Sequence, residues 1–129
     1  MFSLKSLKLV GFALSLGTVV AVASAADQEV SFKKDVMPVL QANCLECHSP
    51  GGKHTSKSKL LMDTYEHLIN GSRYGTVIVP GHSEQSMFTQ VIEVKVDPLI
   101  RMPHHGGVEL PPASKKILKD WVDQGAKNN

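Results

Sequence analysis

Two thiols and an imidazole fall within five residues at 44-CLECH-48, and no other feature constrains the fold of this chain as much. A cluster of that kind organises a chain around whatever it holds. The rest of the 129 residues offers little to compete with it. Aromatic residues make up only 5%, with a single tryptophan, Trp121. A small domain short of large core side chains usually leans on a disulfide, a metal or a cofactor.

The N-terminus bears on which of these it is. Lys5 and Lys8 precede an apolar run, 9-LVGFALSLGTVVAVA-23, that ends in the small residues 23-ASA-25. This predicts a secretory signal peptide over 1–25, cut between Ala25 and Ala26, and one mature domain over 26–129. The run is short for a spanning helix. An uncleaved anchor is the alternative, and only then would the chain be tied to a membrane. Loss of Lys5 and Lys8 takes the Lys and Arg count from 14 to 12, equal to the 12 Asp and Glu, so the mature chain is formally neutral. There is no basic footprint for a nucleic acid. Export to the periplasm would normally suggest a disulfide. Cys44 and Cys47 are only three positions apart, however, and so small a loop removes little unfolded-state entropy.

Three chemistries use such a cluster. Haem attachment by C-x-x-C-H is the most direct. Two thiols three apart reach the two vinyl groups of one macrocycle, and His48 is then held under the iron as its proximal ligand. Thiol–disulfide exchange also uses C-x-x-C, but after a strand within a βαβ pattern. Here a helical segment precedes the motif and a loop follows it. Zinc needs four N or S donors. Cys44, Cys47 and His54 could begin such a site and His104 or His105 close it, without the usual paired spacing. A haem also needs a sixth ligand or an open face. Met102 stands in 101-RMP-103, inside a long loop, and a thioether suits ferrous iron and raises the potential of a His-ligated haem. His104 and His105 compete with it from the same loop. Met37, Met62 and Met87 read as core filler in apolar helical patterns. His54, His67 and His82 read as surface residues.

Along the chain, 31–44 reads as a helix capped by Ser31 or Asp35, begun or kinked at Pro38. Residues 49–59 read as a loop. At 63–71 Asp63 is a plausible N-cap and Gly71 a stop. Ser83 is expected to cap a short helix over 83–93. Residues 96–112 form a long irregular loop, and long loops in compact domains are usually functional. A terminal helix starts at Pro112, carries an apolar stripe of Ile117, Leu118, Trp121 and Val122, and ends at Gly125. The fold class is therefore all-α: four or so short helices with almost no strand, and too little apolar surface to fill a core unaided. Packing around a central group is expected from Phe32, Val36, Val39, Leu40, Leu60, Leu61, Leu118, Trp121 and Val122. Arg101, Arg73, Tyr74 and Trp121 are candidate donors to haem propionates.

Residues 32–126 resemble a small class I c-type cytochrome, closest to the cytochrome c domain frequent in planctomycete proteins. The pieces that carry the resemblance are 32-FKKDVMPVLQANCLECH-48, 60-LLMDTYEHLINGS-72, 78-IVPGHSEQSMF-88, 101-RMP-103 and 117-ILKDWVDQGA-126. The family pattern continues R-M-P with a second proline; this chain has His104 there. The resemblance implies one covalent haem c on Cys44 and Cys47, His48 and Met102 as iron ligands, and transfer of single electrons between redox partner proteins rather than enzyme catalysis. A haem enzyme subunit or gas sensor with a displaceable sixth ligand is the alternative. Lys53, Lys57 and Lys59 could ring an exposed haem edge and steer an acidic partner.

Overall fold

Pro38 decides how the first helix is built. Its ring carries no N–H and crowds the carbonyl four residues back. The chain answers with a wide turn, in which Val36 N donates to Ser31 O at 3.1 Å and Met37 N donates to Phe32 O, each five residues back. This π-type turn, Phe32–Val36, leads into α1, Met37–Asn43, where Pro38 occupies the first turn. Ser31 is the predicted cap, accepting from Lys34 N through its hydroxyl. Asp35 closes the same turn by accepting from Ser31 N at 2.8 Å.

The structure, a computed structural model, describes residues 28–53, 55–104 and 108–129. The expected signal segment, His54 and His105 lie outside them. After α1 come α2 (Leu45–His48), α3 (Thr55–Ser58), α4 (Tyr65–Asn70), α5 (Met87–Ile92) and α6 (Pro112–Asp123), with 3-10 turns at Ser83–Gln85 and Pro98–Ile100. The fold is all-α; among the described residues the only β pairing is an isolated bridge between Ser72 and Gly75.

Three local expectations are corrected. The stretch read as a loop over 49–59 contains α3, whose last carbonyl, Ser58 O, accepts from Arg73 N at 2.8 Å. That long-range bond is invisible to local propensity. The cap of α4 is Thr64, one residue later than predicted, because Asp63 turns to His67 Nδ1 at 2.7 Å. His67 is therefore a partnered residue. Gly71 does end α4, at φ +79°. Ser83 does not cap α5. It is buried in the preceding 3-10 turn, where its N–H and hydroxyl both donate to the Asp123 carboxylate at 2.8 Å.

The terminal helix packs across the π-type turn and against α5. Trp121 is fully buried where they meet, and its indole N–H donates to Lys127 O at 2.9 Å. Phe32 stacks tilted on Trp121 with ring centroids 5.4 Å apart and meets Tyr65 edge-on at 5.3 Å. Three of the few aromatic residues are thus spent at one point. The segment 30–32 is clasped to the C-terminal residues beside this cluster: Val30 N donates to Gln124 Oε1 at 2.7 Å, and Phe32 N to Asn129 Oδ1 at 2.8 Å. Of the predicted core, Phe32, Val36, Leu40, Leu60, Leu118, Trp121 and Val122 are buried, and Val39 and Leu61 half-buried. Met62 is buried in their place, Met37 is half-buried, and Met87 is 44% exposed rather than core.

Two predictions follow from this packing. Trp121→Ala should lower stability by about 3–5 kcal/mol, measured by urea unfolding, because the aromatic cluster cannot collapse into the space left. On the surface, hydrogen bonds from Lys119 and then Lys95 pull the exposed Glu84 carboxyl down to about 2. A carboxyl depressed in the folded state stabilises above its ordinary value of 4.5 and loses that contribution as pH falls towards 2. Urea midpoints followed from pH 5 to about 2 should therefore fall less steeply in Glu84→Gln than in the wild type; equal slopes would count against the cluster.

Candidate haem site

The motif sits where two helices meet at an angle. Cys44 N donates to Leu40 O at 2.8 Å and so closes α1. Cys44 itself leaves the helical region (φ −123°, ψ −37°) and starts α2, with His48 N donating back to Cys44 O at 2.8 Å. Positions 44, 47 and 48 are spaced i, i+3, i+4 and share one face of that turn. All three line the same cavity of about 640 Å³, within the size range of a cofactor site.

His48 is buried, and its Nδ1 lies 3.0 Å from Leu60 O. A carbonyl only accepts, so Nδ1 carries the proton and Nε2 keeps its lone pair. Met62 N returns a second bond to His48 O at 2.8 Å. The imidazole is thus fixed in ring plane and tautomer by the backbone of 60–62, the arrangement expected of a metal-binding histidine.

The opposite arm comes from α5 and the loop beyond it. Phe88, Val91 and Ile92 wall the cavity at i, i+3, i+4 spacing, joined by Leu110 and by Leu118 of α6. Met102 also lines it, half-buried, with its N–H donating to Val91 O at 3.0 Å. Arg101 Nε donates to Val96 O at 3.1 Å, and the Met102–Pro103 peptide is cis. His104 lines the same cavity. The structure therefore brings Cys44, Cys47, His48, Met102 and His104 to one space.

The propionate candidates fare differently. Trp121 has committed its N–H to Lys127 O. Tyr74 is exposed, with Arg73 stacked over its ring at 5.9 Å. Neither these nor Arg101 line the cavity, whose polar side chains among the described residues are, besides His48, those of Asn43, Glu46, Lys57, Ser58 and His104. Lys57 of the predicted lysine group is at the cavity, whereas Lys53 pairs with Glu46. The wall residues Phe88, Val91, Ile92 and Leu110 were not assigned from sequence, although the helical spacing of the first three carried the signal.

The chemistry of the donors fits haem c. Both cysteines are free thiols. Burial, and to a lesser extent Cys47, pushes the Cys44 thiol up to about 11. An exchange nucleophile needs the reverse, a thiol depressed towards neutrality. Among the described residues no group of three or more His, Cys, Asp or Glu side chains is placed to hold a metal ion directly; His54 and His105 of the zinc reading lie outside those residues. Two thiols, one oriented imidazole and a thioether around a mostly apolar cavity match a porphyrin that brings its own iron.

Among the described residues no helix is long and apolar enough to cross a membrane. No curated protein and no solved structure matches the chain. Residues 44–106, from the first cysteine of the motif through the Met102 loop, match the family described as Planctomycete cytochrome C, the family that the motifs resemble.

Proposed function

We propose that this chain is an exported, periplasmic monohaem electron carrier, with haem c joined to Cys44 and Cys47 and its iron held between His48 and Met102. The observation that carries the proposal is the oriented His48 ring facing a cavity that both cysteines and Met102 also line. The haem supplies an iron that gains and loses one electron with no bond made or broken at a substrate. The protein's part is to set the potential and keep the site dry. Leu60 O, accepting from His48 Nδ1–H, makes the imidazole a stronger donor. Met102 offers a soft thioether, which favours the ferrous state and raises the potential. The α5 wall and Leu118 exclude water. Lys57 at the cavity places a positive charge where propionates or an acidic redox partner would meet it. His104 beside Met102 supports a second reading, in which the distal ligand is displaceable and the protein senses a gas or serves within an enzyme.

Expression with haem-maturation machinery should give a red protein whose haem survives acid–acetone extraction; a colourless but folded product would sink the proposal. Met102→Ala should abolish the methionine–iron charge-transfer band and lower the potential by on the order of 0.1–0.3 V, within the roughly 0.8 V that axial ligands span. An unchanged ferric spectrum would move the ligand to His104 or His105. Binding of carbon monoxide by the reduced wild type would favour the second reading.

A further inference from the structure

Helix α5 ends in a left-handed turn at Val94, with φ 63°. Among the described residues three non-glycine residues adopt that region, and Val94 is the only β-branched one. Its two γ-methyl groups crowd the backbone there, so the conformation persists only where neighbouring bonds impose it. Two main-chain bonds do so. Lys95 N donates to Gln90 O at 3.2 Å, one bond of a helix-ending motif that ordinarily has glycine at the position of Val94. Val91 O, the carbonyl that the second bond of this motif ordinarily uses, accepts from Met102 N at 3.0 Å. The loop from Lys95 to Met102 therefore has both ends tied to adjacent carbonyls of α5. Packing adds little to these ties. None of residues 93–104 is buried, Leu99 is 82% exposed, and Met102 is the one apolar residue of the loop packed against the core. The Lys95 ammonium pairs with Glu84 and Glu93 but is half exposed, so water screens the attraction. The bonds of Asp97 and Arg101 stay within the loop.

We propose that Val94 is a strained hinge that keeps the Met102 loop releasable, so that a small neutral nitrogen donor such as imidazole can take the place of Met102. This rests on the reading of Met102 as the distal ligand. When Val94 leaves the left-handed region, the turn at Lys95 opens and Met102 N is drawn from Val91 O. The strain carried by the closed loop is relieved in that movement and offsets part of its cost. One sulfur–iron bond is exchanged for one nitrogen–iron bond, and no electron is transferred. The rest of the site stays in place. The Ser86 hydroxyl accepts from Val79 N at 2.9 Å and donates to His82 O at 2.9 Å, which holds the start of α5. Leu60 O still accepts from His48 Nδ1 on the opposite side. Phe88, Val91 and Ile92 leave an apolar wall on the opened side. Such a wall receives an uncharged ligand at far lower cost than an ion.

The test compares the full chain, made with maturation machinery, as wild type, Val94→Ala, Val94→Asn and Val94→Gly. Alanine removes the γ-methyl groups, and asparagine and glycine are at ease in the left-handed region. Imidazole is titrated into the ferric protein and followed by loss of the methionine–iron charge-transfer band. Amide hydrogen exchange at Lys95 and Met102 follows the loop without reference to the iron. We expect imidazole affinity to fall from wild type through Val94→Ala and Val94→Asn to Val94→Gly, by roughly tenfold at the end of the series. Both amides should exchange more slowly in the same order. A side chain needed only for packing would act the other way, with tighter imidazole binding and faster exchange in every variant. That result, or affinity and exchange unchanged in Val94→Asn and Val94→Gly, would overturn the hinge. A wild type without the charge-transfer band would instead overturn the Met102 reading, and the exchange rates would still decide whether Val94 governs the loop.

Discussion

The hydrogen bond between His48 Nδ1 and the Leu60 carbonyl ties together two parts of the chain and orients the imidazole between them. One is the attachment turn at the end of α1 and α2. The other is the irregular return through 49–62. The return has few apolar residues of its own, and it is kept in place by backbone bonds that point at the motif: Lys53 N to Glu46 O, Met62 N to His48 O. Lys59, a non-glycine residue in the left-handed region at φ 56°, turns the chain so that Leu60 O faces the imidazole. A residue held there costs on the order of 1 kcal/mol or more and persists only where its surroundings fix it. The motif and its return therefore define each other, and the cavity exists because both are present.

The second half of the scaffold works by packing rather than by hydrogen bonds to the motif. Trp121, Phe32 and Tyr65 form one aromatic contact point, from which α6 reaches α5 on one side and the π-type turn on the other. The buried hydroxyls of Ser83, Ser86 and Thr89 pin the turn before α5, with Asp123 anchoring Ser83 to the end of α6. The cavity wall at Phe88, Val91 and Ile92 is thus braced from behind by polar groups that all have partners.

The sequence made the motif, the helical class, the terminal helix and the Met102 loop legible, because each rests on local chemistry: a fixed thiol–imidazole spacing, a 3.6-residue apolar stripe, proline at a helix start. Its misses share a cause. Trp121 looked available to a propionate because indole N–H groups seek acceptors, yet its acceptor is Lys127 O, brought near only by the turn after α6. Asp63 looked like a cap until His67 on the next turn competed for it. Helix α3 is tied by its last carbonyl to Arg73, a residue distant in sequence, and such a bond leaves no periodic trace. Met62 and Leu61 exchanged places because the return segment is irregular, where the alternation of faces follows no fixed period.

The bond from Met102 N to Val91 O has a consequence for the timing of electron transfer in the proposed carrier. It fastens the loop that bears the proposed distal donor to the same helix whose side chains form the cavity wall. The donor atom and its surroundings then shift as one body, and their dipoles are already in place before an electron arrives or leaves. An environment set in advance has little left to rearrange. In the proposed carrier the barrier to exchange would then be governed less by motions of the protein around the iron than by how closely a partner could approach the exposed cavity residues Leu99 and Ile100.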